Sequence, residues 1–240
     1  MTQITTEIRD RLTTAITPGL VSGLGQPEPG QMCVEAAICW ALGESHGDRP
    51  TCVAAPDRHY AIAINDAAWS SPAIRAKHML PLALAQLGTA GTDRTAWEAR
   101  VIEGTIRRVL PLSLRAAAWV HPDAAHRAML LAAADRCDAD GTREAARSAY
   151  NAANAARSAY NAANAANAVS YAYNASNAAS NAAYAAYAYA AAYNASYAYA
   201  AAYAADAAEA AAEAAAYAAD LVLSTAVSVA LDAYAAEGRS

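Results

Sequence analysis

The feature that most constrains this chain is the run 142–237, which contains neither proline nor glycine. These two residues are the ones that most disfavour a helix interior, by roughly 3 and 1 kcal/mol relative to alanine. Alanine, the best helix former, is the commonest residue of the run. The run therefore predicts a very long helix from about Arg143 to Ala236, with Thr142 as its N-cap and Gly238 as its stop.

Residues 1–141 have the opposite character, because they hold all nine prolines and ten of the eleven glycines. Short amphipathic runs between these breakers predict a small head of several helices. Its four tryptophans are expected to anchor the core: Trp40, Trp69, Trp97 and Trp119. The predicted fold class is all-α, with a helical head at 1–141 and a coiled-coil-like stalk or helical hairpin at 142–240.

The sequence RSAYNAANAA occurs twice in succession in the stalk, at 147–156 and 157–166. A β-solenoid of this period would need large apolar interior residues, whereas Leu and Phe are absent from 143–220. The larger stalk side chains recur at steps of three and four residues, which favours a supercoil with a partner helix. We expect contacts at seven of these positions: Tyr150, Asn154, Asn161, Asn164, Tyr171, Asn174 and Tyr184.

The end of the stalk carries the strongest aliphatic cluster of this half of the chain. We predict interaction residues at Leu221, Leu223, Val227 and Leu231. A lone helix would leave these side chains in water, which is unfavourable. Three partners remain open: a second chain, the head, or an antiparallel arm of the stalk. The pattern of the stalk as a whole favours the second chain, and therefore a homo-oligomer.

Two further hypotheses concern the same tyrosine and asparagine positions. They could form a surface for a different protein partner, because tyrosine supplies rigid, amphipathic contact area. They could also bind ice, by analogy with long Ala-rich antifreeze helices. Those helices present regularly spaced threonines, and residues 143–220 contain no threonine.

Cysteine and histidine residues in the head raise the question of a metal site or an enzyme. The candidates are Cys33, His46, Cys52 and His59. Zinc sites favour closely spaced pairs such as C-x2-4-C, and these residues are six to thirteen positions apart. A Cys–His nucleophilic pair would also need an oxyanion hole, for which no pattern is present. We therefore expect no catalytic residue, no metal ion and no cofactor, and keep the enzyme as the alternative.

Charge and hydropathy narrow the possible partners. The net charge is −5 and the longest basic cluster is Arg107-Arg108, which argues against nucleic-acid binding. Residues 158–205 lack charge, but they carry Asn, Ser and Tyr where a membrane span needs Leu, Ile, Val or Phe. The N-terminus has no apolar run of the kind that signal peptides contain. We expect a cytoplasmic protein with reduced thiols and no membrane contact.

Several short motifs stand out in the head: 32–37 (MCVEAA), Gly43-Glu44, Asp48, Pro50, Cys52-Val53 and Asn65-Asp66. Together they resemble an uncharacterised family found in high-GC bacteria and their phages. Members of that family join such a head to an Ala-rich low-complexity tail. The resemblance implies a cytoplasmic protein, and it supplies no activity and no catalytic residue. The Tyr-Asn tail departs from the Ser-Trp-Glu-Arg tails of the family.

These patterns together favour a non-enzymatic structural or interaction protein. The stalk is expected to drive oligomerisation, and the head is expected to bind a protein partner.

Overall fold

The computed structural model describes residues 3–121, 123–164 and 219–239. Apart from one isolated bridge between Gly25 and Met32, the regular structure of these residues is helical, which confirms the all-α class. None of the described helices is at once long and apolar enough to span a membrane. The α-helices are α1 (Thr6–Ile16), α2 (Val34–Leu42), α3 (Ala55–Asp66), α4 (Pro72–Gln86), α5 (Thr95–Gly104), α6 (Leu110–Val120), α7 (Ala124–Asp140), α8 (Arg143–Asn164) and α9 (Ala219–Ala235).

Local sequence signals account for several helix ends. The hydroxyl of Ser71 accepts a hydrogen bond from Ile74 N (3.2 Å), and Pro72 occupies the first helical position of α4. Gly141 ends α7 in the left-handed conformation (φ 61°), which glycine adopts without steric cost. Thr142 then caps α8 as predicted, because its hydroxyl accepts from Ala145 N at 3.2 Å. The chain therefore reverses sharply between α7 and α8.

The sequence predicts that Pro111 interrupts a helix, because proline disfavours a helix interior, but the helix continues through it. A π-helical turn, Thr105–Val109, joins α5 to α6, so that the backbone stays helical from Thr95 to Val120. Proline lacks an amide hydrogen and its ring crowds the preceding turn. The wider π turn, in which Leu110 N donates to Thr105 O, stands immediately before Pro111 and accommodates it without ending the helix.

The buried apolar side chains form two clusters. The first is built by α1 to α5 together with α9, and the second by the π turn, α6, α7 and α8. The continuous helix through the π turn runs along both clusters, and Ile102 packs against each of them. The two parts of the head are thus joined by a shared helix.

The last helix packs inside the head, although the division at residue 141 placed it in the stalk. Helix α9 contacts α3, α4, α5 and the π turn, and it contributes eight buried residues to the first cluster. Its approach to α5 is close at Gly104, where an added Cβ would lie 2.5 Å from Val229 Cγ1. The packing therefore does not follow the predicted boundary, because the aliphatic side of α9 completes the core of the head.

Helix α8 also packs on the head, against α7. Six of its alanines are buried there: Ala145, Ala146, Ala149, Ala152, Ala153 and Ala156. His121, in the connection between α6 and α7, is buried, and its Nε2 lies 3.2 Å from Ala156 O. Small side chains let two helices pack closely, so this stretch is a helical hairpin with α7.

The tryptophans divide into core and surface residues. Trp97 is fully buried, Trp69 is buried and Trp40 is partly buried against the first cluster. The expectation for Trp119 was wrong, because its side chain is 81% exposed. The buried side of α6 consists of Leu110, Leu114, Ala117 and Ala118. Trp119 lies one position beyond that stripe and therefore faces away from the core.

Candidate functional site

Helix α9 is fixed to the head by buried side chains that bond to its backbone. Tyr60 donates its hydroxyl to Ala226 O at 2.7 Å. Trp97 donates its indole N–H to Ala230 O at 3.4 Å. Both acceptors lie in the middle of α9, and both donors are completely buried. These bonds set the position of α9 along its axis, which apolar packing alone would not do.

A buried ionic group stands at the end of the same interface, and we call it the Arg94 centre. It consists of Asp57, Arg94, Tyr234 and Glu237. Arg94 Nε donates to Asp57 Oδ2 at 2.9 Å, and Arg94 Nη1 donates to Glu237 Oε2 at 2.5 Å. The Tyr234 hydroxyl donates to the other oxygen of Asp57. The centre therefore connects α3, the start of α5 and the C-terminal end of α9.

Aromatic rings enclose the guanidinium of this centre. Arg94 Cζ lies 4.9 Å from the ring centroid of Trp97 and 5.1 Å from that of Tyr234. Such cation–π contacts strengthen when the cation is removed from water. The Arg94 side chain is 5% exposed and that of Asp57 is not exposed at all. The enclosure favours a tight ion pair and keeps solvent away from it.

Two further carboxyl groups are buried in the head, on α5 and α2. Burial raises the pKa of Glu98 to about 7, and the charge of Asp57 acts in the same direction. Burial also raises the pKa of Glu35 to about 8, although a hydrogen bond from Gln86 opposes this. The bond from Gln86 Nε2 to Glu35 Oε1 is 2.8 Å long. Glu35 is thus largely protonated at neutral pH.

Partly exposed contacts hold the rest of α9. Ser70 N donates to Asp220 Oδ1 at 3.0 Å, at the beginning of the helix. On its outer side, the guanidinium of Arg108 bonds Asp232 and also reaches Ser228 Oγ at 3.0 Å. Exposed pairs of this kind contribute less to stability than the buried centre does.

The predicted aliphatic contact residues of α9 divide between the core and the surface. Leu223 and Val227 are buried in the first cluster, and Leu231 packs against it while partly exposed. Leu221 is 58% exposed. Of the three partners left open by the sequence, the head is the one that covers this cluster. The remaining exposed part is centred on Leu221.

Four of the seven predicted tyrosine and asparagine positions belong to α8, and three lie outside the described residues. Tyr150 is partly buried and packs against the second cluster, while Asn154 lies on the same helix at intermediate exposure. Asn161 and Asn164 also belong to α8. Three predicted positions lie outside the described residues: Tyr171, Asn174 and Tyr184.

The candidate metal ligands have separate structural surroundings. Cys33 is the N-cap of α2, and its sulfur accepts from Ala36 N at 3.4 Å. His46 Nε2 lies 3.1 Å from Gly25 O, in a surface loop. Cys52 is buried, whereas His59 is partly exposed on α3. Within the described ranges, no group of three or more His, Cys, Asp or Glu side chains is arranged to hold a metal ion.

An open cleft lies beside this loop. It encloses about 410 Å³ and is lined by the loop itself: Cys39, Glu44, Ser45, His46, Gly47, Asp48, Arg49 and Thr51. Glu44 accepts hydrogen bonds from the Thr51 hydroxyl and from Thr51 N, the latter at 3.2 Å. The acidic side chain thus closes its own loop, which is a structural role.

The thiols are poorly suited to nucleophilic catalysis. Burial raises the pKa of Cys33 to about 11, and it also raises that of Cys52. Thiolates, not thiols, are the nucleophiles and metal ligands, and reactive cysteines have lowered pKa values. All four cysteines are free and buried. Neither Cys33 nor Cys52 therefore has the electrostatic surroundings that a Cys–His pair requires.

We expect the native thiols to resist modification. With a colorimetric disulfide reagent at pH 8, native protein should release almost no colour within minutes. All four cysteines should react in guanidinium chloride, because unfolding removes the burial. The reduced, denatured protein serves as the control for reagent and thiol content. A native thiol that reacts as fast as free cysteine would contradict the assignment and would support Cys33 or Cys52 as a nucleophile.

The Arg94 centre was not among the sequence-based site residues. Its members are far apart along the chain, since Asp57 and Arg94 are 37 positions apart and Asp57 and Tyr234 are 177. Outside this centre, the buried Glu35 had a weak sequence signal, because it is a single acidic residue inside the apolar run MCVEAAICWAL. A charged residue in such a run is seldom buried without a partner.

Comparison with known proteins does not add a function to this geometry. No protein-family model, curated protein or solved structure matches the chain.

Proposed function

We propose that this chain is a non-enzymatic interaction protein that self-associates. The associating part is the Ala-, Tyr- and Asn-rich stretch at residues 165–218, which we call the Tyr–Asn segment. The helical head would serve as the platform for this segment and would bind a protein partner. We also propose that the chain is related to the uncharacterised family of high-GC bacteria and phages. This relationship implies no activity.

One observation carries the proposal: the helices on both sides of the Tyr–Asn segment are packed into the head. Helix α8 enters through its buried alanines, and α9 returns through the first cluster and the Arg94 centre. If the segment were a low-complexity tail with no role in the fold, the helix that follows it would not have to pack into the core of the head. The arrangement supports a head that presents the segment between two fixed points.

The composition of the segment supports contacts between proteins. It is rich in tyrosine and asparagine and is uncharged from residue 165 to residue 205. Tyrosine brings large contact area with few rotatable bonds, and asparagine adds hydrogen bonds. Alanine between them allows close approach of chains. The buried, protonated thiols of the head meanwhile weaken the competing Cys–His enzyme hypothesis.

Light scattering of the full chain after size-exclusion chromatography tests self-association. We expect a molar mass of at least twice the chain mass of 24.7 kDa. Replacing Tyr171, Tyr173, Tyr184 and Tyr187 together with serine should lower this mass toward that of one chain, because the variant loses aromatic contact area. A single chain mass at every concentration of the wild-type protein would contradict the proposal.

A matched variant distinguishes the segment from the head. Trp119→Ser removes the most exposed large apolar side chain of the described residues, at 81% exposure. It should leave the mass unchanged if the segment mediates assembly. Dissociation by Trp119→Ser, with no effect of the four tyrosine changes, would place the contact on the head and overturn the proposal.

A further inference from the structure

A groove lies between α7 and α8 and encloses about 460 Å³. Alanines of both helices form its apolar part: Ala132, Ala133, Ala152 and Ala155. Ala133 and Ala152 also belong to the second cluster, so that the floor of the groove is continuous with the packed interface of the two helices. Small side chains of this kind let another helix approach closely. The groove is therefore suited to a third helix that is rich in alanine.

Arg136 is the one charged side chain that lines this groove. It is exposed, and its Nη1 donates to Ser148 Oγ at 3.4 Å. No ion pair among the described residues includes Arg136. By contrast, Arg115 of α6 pairs with two carboxylates of α7, those of Asp135 and Asp138. The edge of the groove thus offers a cation to an acidic partner.

The chain carries one acidic stretch that matches this edge. Residues 206–213 read DAAEAAAE. Their carboxyl groups, at Asp206, Glu209 and Glu213, are the only charges from residue 158 to residue 219. Steps of three and four residues would place these carboxylates on one side of a helix, with alanine on the neighbouring side. Such a helix would present small apolar side chains to the alanines of the groove and carboxylates to its cationic edge.

The course of the chain leads back to the hairpin of α7 and α8. Arg107, in the π turn, donates to Asp140 O at 2.9 Å at the end of α7, just before α8 begins. The neighbouring Arg108 donates to Ser228 Oγ of α9 at 3.0 Å. The chain therefore leaves the π turn through α8 and returns to it through α9. Helix α8 has 22 residues, and the longer connection 165–218 can turn and run back beside it.

We propose that the Tyr–Asn segment folds back along α8 of its own chain and lays residues 206–213 in the α7–α8 groove. A return leg as long as the outward leg, measured from Arg143 and from Ala219, places the turn near residue 181. Residues 206–213 then lie beside the part of α8 that lines the groove, and their carboxylates meet Arg136.

The occupant belongs to the same chain because both ends of the segment are fixed to the head. Its effective concentration at the groove therefore exceeds that of a second chain in dilute solution. The groove spans about two turns of α8, from Ser148 to Ala155, and so holds only the last part of the segment. The tyrosines nearer the middle of the segment remain available for self-association.

A photoreactive side chain in the groove tests this docking in the full chain. Benzoylphenylalanine in place of Asn151, an exposed residue of the lining, should bond on illumination to residues 203–216. Fragmentation mass spectrometry locates the bond, and the product should keep the single chain mass of 24.7 kDa. The control carries the same side chain in place of Trp119, which is 81% exposed and outside the groove, and should not bond to that stretch.

Isotope-labelled and unlabelled chains, refolded together, identify the source of the occupant. Bonds confined to one label support docking within the chain. Bonds between labels would make a second copy the occupant and would overturn the inference. Bonds from position 151 only to other parts of the chain, or no bond at all, would overturn it as well. Self-association does not enter these outcomes, because light scattering measures it separately.

Charge reversal tests the part played by Arg136. Arg136→Glu should lower the yield of the bond by about two- to fivefold, because an exposed ion pair becomes a repulsion. Adding Asp206→Arg and Glu209→Arg should restore the yield, since opposite charges then face each other again. The control is Arg49→Glu, which makes the same charge change at an 83% exposed side chain outside the groove and should have no effect. An unchanged yield in Arg136→Glu, or no recovery in the combined variant, would contradict the pairing on which the docking rests.

Discussion

Replacing Arg94 with methionine should lower the free energy of unfolding by about 3–5 kcal/mol. The substitution keeps an apolar stem against Trp97 but leaves Asp57 buried without its cation. It also removes the ion pair with Glu237, which lies two residues after the end of α9. Removing one partner of a buried ion pair is far more destabilising than removing both, because the second charge stays desolvated. Urea unfolding followed by circular dichroism measures the change.

The matched control is Arg49→Met, since the Arg49 side chain is 83% exposed and 3.8 Å from the Asp48 carboxylate. Its effect should stay within about 0.5 kcal/mol. Adding Asp57→Asn to Arg94→Met should recover part of the loss, because the orphaned charge is then absent. An effect of Arg94→Met as small as that of Arg49→Met would mean that the centre is not important for stability.

Truncating Trp97 to alanine should cost a comparable amount, about 3–5 kcal/mol. Its ring lies between Tyr60 and Tyr234, with centroid distances of 5.9 and 5.2 Å, and it donates to Ala230 O. The truncation therefore opens a cavity and also removes a bond to α9. Chemical unfolding of the full chain provides the measurement, with exchange of the α9 amides as a second readout.

Trp119→Ala is the matched control for this truncation. It removes the same atoms from a site that is 81% exposed, so the expected change is within about 0.5 kcal/mol. Equal losses from Trp97→Ala and Trp119→Ala would contradict the role of Trp97 in holding α9 on the head.

The helical class was predictable because its causes are local. Breakers, caps and apolar spacing are short-range features: Ser71-Pro72 begins α4, Gly141 ends α7, and Thr142 caps α8 as predicted. Pro111 shows where local rules fail, since a π turn takes up the proline and the helix continues. The spacing of Leu110 and Leu114 indicates that Trp119 is exposed, because Trp119 lies off the apolar stripe that these two residues define.

The docking of α9 and the Arg94 centre depend on long-range information. An aliphatic cluster at Leu223 and Val227 shows that burial is required, but spacing does not say which surface supplies it. The centre joins residues from α3, the start of α5 and the end of α9, and each of them alone is an ordinary polar residue in a helix or turn. Neither periodicity nor motif spacing connects positions 177 residues apart.

Because both ends of the Tyr–Asn segment are fixed to the head, the length of that segment has little effect on the stability of the head. Each anchor draws its free energy from contacts within the head, so neither depends on how many residues intervene. Even for an intervening chain that contributes no contacts, doubling its length would add only about 0.6 kcal/mol of closure entropy. A tandem duplication within the segment would therefore lengthen it while the globular part keeps its fold, and the two RSAYNAANAA copies at 147–156 and 157–166 show a repeat of this kind next to it.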